Sequence, residues 1–488
     1  MDSRLVDIRS YLVAHRERHL ARLQTLLRQP SVSVDGEGAE ACASLFVDLL
    51  RDAGFPEAEI VPTAGLPGVW GAYEVGAPAT LAVYGMLDVR RADPVGWRVP
   101  PWSAEVVEMP PFPQVLVARG ARAVKGSLGV WLNAIEACRA VLDRPPVNLY
   151  ILAESDEILG SPHYREMIAR YRDRLAKSHA CWTPGASQDE QGQAHITLGY
   201  KGMIYLAMRS AGATWGRGPR DAPIHGMAKS VVDSPAWRLV QALSTLTGQD
   251  GNLVRLDGFN AGRPSPSAEE REEMEAILTR FRGTPWQRVL PGVQSAPVRA
   301  IDNLEETEIY SRYFFGPSVN ISGLRCGYTG PGTITFSLPH VAEAFLDIRI
   351  PRTWKAREVV STLRRHLDAA GFSDVEVQVF GAYDGSRVDR RAGIVRAARD
   401  LFDSAGVEMI WWPMTGGGGP WSIFSNELGI PVLRDIGLGH GRASAKDEYL
   451  VIEGVGNIGG MVEMALSHAE FMIRMGATAR GSEGPVAP

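Results

Sequence analysis

Two short stretches place carboxylates where a parallel α/β sheet presents its chemistry. Apolar runs at 80–84 and 147–153 read as buried strands, and each ends in a polar segment. Met86, Leu87 and Asp88 follow the first; Glu154, Ser155, Asp156 and Glu157 close the second. Between them, 127–142 has helical spacing, with Leu128, Trp131, Ile135 and Val141 on its apolar face. Strand, helix, strand with a right-handed crossover is the parallel unit, whose reactive side chains belong at the carboxyl ends of the strands. An apolar cleft raises a glutamate's pKa toward neutrality, which suits Glu157 to acid/base work. Asp88 fits a hydrogen-bonding role as well as a catalytic one.

Other chemistries lack their motifs. There is no G-x-S-x-G elbow, no Walker loop and no G-x-G-x-x-G after the first strand. His163, His195 and His440 form no H-x-x-x-H cluster. Cys42, Cys138, Cys181 and Cys326 lie far apart without a C-x-x-C pair, which argues against a disulfide framework or a cysteine zinc site and fits a reducing cytoplasm. The net charge of −5 gives no reason to expect nucleic acid or an anionic membrane as partner. Asp2, Arg4, Asp7 and Arg9 interrupt any apolar leader, and no run approaches the roughly 20 apolar residues of a membrane span. The expectation is a soluble cytoplasmic protein.

The 488 residues suffice for two or three domains. Residues 3–28 have helical spacing until Pro30. The middle of the chain mixes strands (195–208, 344–350, 374–380) with helices (236–246, 268–281, 355–370), the pattern of an inserted α+β domain. In 344–350, Phe345, Asp347 and Arg349 alternate with Leu346, Ile348 and Ile350. After Asp384-Gly385 the α/β pattern resumes with helix 394–405, run 409–412, strand 431–435 and helix 455–475. Trp411 and Trp412 read as buried core, with a place on a pocket wall as the alternative. The tail 476–488, rich in Gly, Ala and Pro, reads as disordered.

The stretch L-A-V-Y-G-M-L-D-V-R-R-A-D-P-V-G-W resembles the Y-G-H-x-D-V-x-x-A-x-P-x-x-W signature of the two-zinc exopeptidase and amidohydrolase family. That family includes carnosinase, glutamate carboxypeptidase, aminoacylase and succinyl-diaminopimelate desuccinylase. The resemblance runs from Pro30 to the Glu448 region, with the motifs in family order. It implies a three-layer α/β catalytic domain in two parts (1–203 and 385–488) and an inserted α+β lid and dimerisation domain (204–384). It also exposes a departure. The five metal-ligand positions hold Met86, Ala123 (in A-R-G-A-R-A-V-K-G), Ile158 (in E-S-D-E-I-L-G-S), Pro184 (in C-W-T-P-G, or Thr183 beside it) and Ser444 (in R-A-S-A-K-D-E). Zinc needs at least three deprotonated nitrogen, sulfur or oxygen donors. The pocket therefore reads as metal-free, with no cofactor.

Several residues keep family positions. Glu157 matches the general base. His225, in D-A-P-I-H-G-M, matches a histidine that reaches the partner's active site and stabilises an oxyanion. Asn320 and Arg349 match lid residues that hold the substrate's carboxylate or carbonyl. Gly417, Gly418 and Gly419 match a glycine loop that opens a helix beside that carboxylate. Lys125 and Glu448 match positions that are not ligands. The leading expectation is a homodimeric, metal-independent enzyme of this family. It would act on an amide, ester or amino-acid-derived carbonyl of a small or peptide-like substrate with an anionic group, by hydrolysis, condensation or cyclisation, or acyl transfer. A non-catalytic protein that binds a peptide-like ligand, and an ordinary zinc-dependent peptidase, are the alternatives.

Overall fold

The computed structural model describes residues 2–259, 264–293, 299–332 and 336–481. The chain folds as two compact units. One comprises Met1–Leu198, Arg387–Trp412 and Pro420–Pro488; the other Gly199–Ser386 and Pro413–Gly419. The chain changes unit at 198/199 and 386/387, where the sequence placed boundaries at 203/204 and 384/385. The run Pro413–Gly419, expected with the second part of the catalytic domain, packs with the inserted unit. There Lys201 N donates to Gly417 O (3.1 Å), and Gly418 lies so close to Lys201 O that a Cβ would stand 2.4 Å from it.

The first unit is built on a six-stranded sheet in the order Glu57–Val61, Gly68–Tyr73, Asn148–Glu154, Thr80–Met86, Ala180–Pro184, Val432–Ile436. The last four run parallel; the first two join antiparallel. Strand alternation divides its two faces. Leu81 and Val83 enter the main core with Leu128, Trp131 and Ile135 of helix Lys125–Leu142. Tyr84 points to the opposite face, where its ring meets those of Tyr164 and Trp421 at 5.3 and 5.9 Å. Helical layers thus cover both faces.

Local rules place most elements within a residue or two of the sequence reading, and the exceptions have physical reasons. The single helix expected over 3–28 is two, Ser3–Ala14 and Arg16–Arg28, broken at His15 (φ −110°, ψ 17°). The strand expected over 195–208 is interrupted where the chain passes between units, giving Ala194–Thr197, Gly199–Tyr200 and Gly202–Ala211. The last helix begins at Met461 rather than 455, after Gly454, Gly456, Gly459 and Gly460, and runs to Gly481. Residues 476–481 of the expected disordered tail are therefore helical, anchored by buried Met472 and Met475; 482–488 lie outside the described residues.

The second unit centres on an antiparallel sheet in the order Ser318–Cys326, Val341–Ile350, Gly202–Ala211, Glu376–Tyr383. Helices Pro235–Ser244 and Ala356–Ala369 bury Ile204, Leu206, Leu346 and Ile348 on one face. Ser234 caps the first of these through Trp237 N (3.4 Å). Ser267 and Glu270 form a reciprocal capping box that starts helix Ala268–Arg280.

Candidate active site

A cavity of about 410 Å³ opens at the carboxyl ends of the parallel strands. Met86, Ala123, Ile158, Pro184 and Ser444 all line it, and so does Glu157. The sheet explains the convergence: Met86 and Glu154 are register partners on neighbouring parallel strands, and Pro184 ends the strand on the other side. At the five matched positions the wall offers a thioether, a neutral hydroxyl and hydrocarbon where a pair of zinc ions would need fixed ionised or imidazole donors, so those five residues do not fit such a cluster. Among the described residues no group of three His, Cys, Asp or Glu side chains is arranged to hold a metal ion.

Asp88 does not reach the cavity wall. It is fully buried, accepts a hydrogen bond from Ser33 Oγ (2.7 Å), and takes the backbone N–H groups of Glu157 (3.1 Å) and Ile158 (2.9 Å). It thereby fixes the turn Glu157–Leu159 and the place of the Glu157 side chain, which makes it a positioning residue. Burial and then the nearby Glu157 charge push its pKa up to about 7, against the lowering by its hydrogen bonds. Because the unfolded carboxyl ionises near 3.8, the native state binds more protons between about pH 4 and 7. Stability contributed by this group is therefore present at low pH and is lost as pH rises through about 7. Asp88→Asn should flatten that slope, by a few kcal/mol at most. Urea melts of both proteins at pH 5 and pH 8 check it: identical pH dependence would place the titrating group elsewhere.

Two more buried carboxyls shape the site. Tyr84 Oη (2.6 Å) and Ser161 Oγ (3.0 Å) donate to Glu154, whose burial holds its pKa well above the usual carboxylate range. Glu448, completely buried, receives Arg119 Nη1 (2.9 Å), Arg122 N (3.2 Å) and Ala123 N (2.8 Å). It pins the segment that ends in Val124 at φ +79°, an unusual conformation for a β-branched residue. Lys125, also buried, donates to Gln29 O (2.7 Å) and lies 5.6 Å from the Trp102 ring. Both Lys125 and Glu448 hold structure.

Three arginines border the cavity: Arg90, Arg122 and Arg434. Arg434 stacks on Trp421, 3.6 Å from its centroid. Arg122 Nη2 donates to Ala186 O (2.5 Å). Asp435 stands between the two guanidinium groups, 3.7 Å from each. It is the residue skipped where the pairing of Val432–Ile436 with Ala180–Pro184 shifts register, and it adopts φ +57°.

The remaining expected site residues lie in the other unit. His225 is exposed on the two-residue strand Ile224–His225, which pairs with Ser337–Leu338; its Nδ1 accepts from Met227 N (3.2 Å). Arg349 and Asn320 sit on paired strands, with Asn320 opposite Asp347. The Arg349 guanidinium bonds Asp347 (2.7 and 3.0 Å) and Tyr205 Oη (2.6 Å), so much of its fork is already engaged. The glycine run has no positive φ; Gly418 is required by close approach to Lys201 O, a Cβ at Gly416 would stand 3.3 Å from the Tyr313 ring, and Gly417 has room. The helix after it, Ser422–Glu427, is only six residues long.

The profile of peptidase family M20/M25/M40 matches residues 82–466. The chain belongs to that family. A metallo-carboxypeptidase of the family from Sulfolobus solfataricus superposes with a TM-score of 0.76 at 27% identity, over 94% of this chain and 99% of that one. The di-peptidase Dug1p from Saccharomyces cerevisiae gives 0.78 at 20% identity, covering 98% and 99%. Among curated proteins, the Beta-Ala-His dipeptidase of Homo sapiens is 26% identical over 301 residues, 59% of this chain and 53% of the relative. The chain spans about half the length of the first such relatives it matches.

Within this family fold, the three lone histidines serve separate local structures. His163 bonds Asp156 (2.6 Å), His195 bonds Asp189 (2.8 Å) and Trp412 Nε1 (3.0 Å), and His440 bonds Gln188 O (2.9 Å) and Tyr449 Oη (3.0 Å). Of the two tryptophans expected in the core, Trp412 is buried and Trp411 is only half-buried against it; Trp421 is the tryptophan at the cavity. Sequence reasoning missed Arg122, Arg434 and Asp435. A signal was available for the last two, since they close a parallel strand at its carboxyl end.

Proposed function

We propose that this peptidase-family chain is an enzyme acting on an amide, ester or amino-acid-derived carbonyl, with Glu157 as a metal-independent acid/base. The observation that carries this reading is that Glu157 lines the cavity together with Met86, Ala123, Ile158, Pro184 and Ser444, none of which has an ionised or imidazole side chain. Glu157 would take the proton of the attacking water or substrate nucleophile and return it to the leaving group. Without a Lewis acid to lower the pKa of water, condensation, cyclisation or acyl transfer on an activated carbonyl is as accessible as hydrolysis. The open cavity supports this reading over a non-catalytic relative whose side chains fill the cleft. Four free cysteines suit a cytoplasmic setting.

Protein purified without chelator should contain far less than one zinc, manganese or cobalt per chain by elemental analysis. Its turnover should survive EDTA. About two metals per chain, with activity lost on chelation, would instead restore the zinc-peptidase reading.

The same reading makes the protein a two-fold homodimer in which His225 of one protomer serves the other's site, the commonest closed symmetry. Mixing inactive Glu157→Gln and His225→Ala protomers should then recover up to about a quarter of wild-type activity, because each heterodimer holds one intact site. No recovery from subunits shown to exchange would leave His225 without a role in trans.

A further inference from the structure

We propose that this cavity is an oxyanion pocket, in which Arg122 and Arg434, with Arg90 at the mouth, hold a carboxylate or phosphoryl group of the substrate. Three cations face two carboxylates there, Glu157 and Asp435, so the wall keeps an excess positive charge. Guanidinium forks suit planar or tetrahedral oxyanions and hold them with charge-assisted hydrogen bonds. Both forks that flank Asp435 stand 3.7 Å from it, beyond hydrogen-bonding distance. Asp435 is thus a loose counter-charge and leaves donor capacity for a ligand on Arg122, whose one short bond is to a backbone carbonyl. Arg90 is exposed and forms no ion pair among the described residues.

Backbone geometry supports the assignment. Val124, Asp435 and Ser444 all line the cavity at positive φ (79°, 57° and 57°). Each such conformation costs on the order of 1–3 kcal/mol, and such strain gathers at sites that bind or react. Asp435 owes its position to the register shift beside Pro184, which turns its carboxylate toward both arginines. The volume of about 410 Å³ is that of a small-metabolite site. The Arg349 fork in the other unit, where the family resemblance would put the anion, is engaged by Asp347 and Tyr205. Naming the bound group as substrate rests on the enzyme reading above; the binding itself does not.

Calorimetric titration at low salt with inorganic phosphate and with N-acetylglycine tests the pocket and separates its two possible sources. Wild type should bind at least one of them, phosphate indicating a phosphoryl group and N-acetylglycine a carboxylate. Arg122→Gln should weaken that binding about tenfold or more. Asp435→Asn should tighten it several-fold, since it removes a competing negative charge. That gain cannot come from a variant that merely misfolds. Arg90→Gln, an exposed change, should weaken binding with the fold intact. No binding of either probe by wild type, or unchanged affinity in both Arg122→Gln and Asp435→Asn, would overturn the proposal. Binding that follows these rules in a protein without turnover would uphold the pocket and sink only the enzyme reading.

Discussion

Glu157→Gln should lower turnover by about 10²–10⁴-fold, or roughly 3–5 kcal/mol of barrier, on whichever substrate a panel of dipeptides, N-acyl amino acids and their esters returns. Glutamine keeps the shape of the side chain and its hydrogen-bonding capacity but cannot accept the proton. The loss should fall on kcat more than on KM, because a proton transfer belongs to the transition state and not to ground-state binding. The backbone around the site should not move, since Asp88 holds the N–H groups of residues 157 and 158 whichever side chain is present. Asp88→Asn should cost less, as its carboxyl touches the backbone of Glu157 rather than the cavity. Unchanged turnover in Glu157→Gln would remove the acid/base mechanism and favour a binding protein with the family fold.

Glu448→Ala should destabilise the fold by about 3–5 kcal/mol, the usual cost of deleting one partner of a buried ion pair. Glu448 is completely buried and serves three donors. Its removal strands Arg119, whose side chain is 8% exposed, and leaves two backbone N–H groups without an acceptor. Those N–H groups belong to Arg122 and Ala123, so the damage reaches the cavity wall as well as the core. Glu448→Gln should lie between, because its amide oxygen can serve the two N–H groups while its amide nitrogen faces the guanidinium. Denaturant melts give the comparison; a loss below about 1 kcal/mol in Glu448→Ala would mean that water or a neighbouring oxygen takes over all three donors.

Much of this was legible in the chain. The parallel unit over 80–153 follows from two short apolar runs and the helix between them, since period and length fix the elements and the right-handed crossover fixes their arrangement. The alternation from Phe345 to Ile350 put Leu346, Ile348 and Ile350 inside because successive side chains on a strand face opposite ways. Motif spacing picked out Met86, Ala123, Ile158, Pro184 and Ser444, and all five line one cavity. Errors arose where glycine or a change of unit overrode apolar spacing: the start of the last helix, the interrupted strand after Ala194, and the tail that continues as helix.

The sequence by itself determined the family and the strand ends that carry Asp88 and Glu157, both of which rest on residue type and local periodicity. Only the tertiary structure decided what those residues face. A one-residue register shift turned Asp435 toward Arg122 and Arg434, three neighbouring N–H and O–H groups drew Asp88 away from the cavity, and Asp347 engaged Arg349 across two positions of one strand. Each outcome depends on partners far apart in the chain or on a local backbone irregularity, and neither spacing nor composition encodes which side chain a charged group meets.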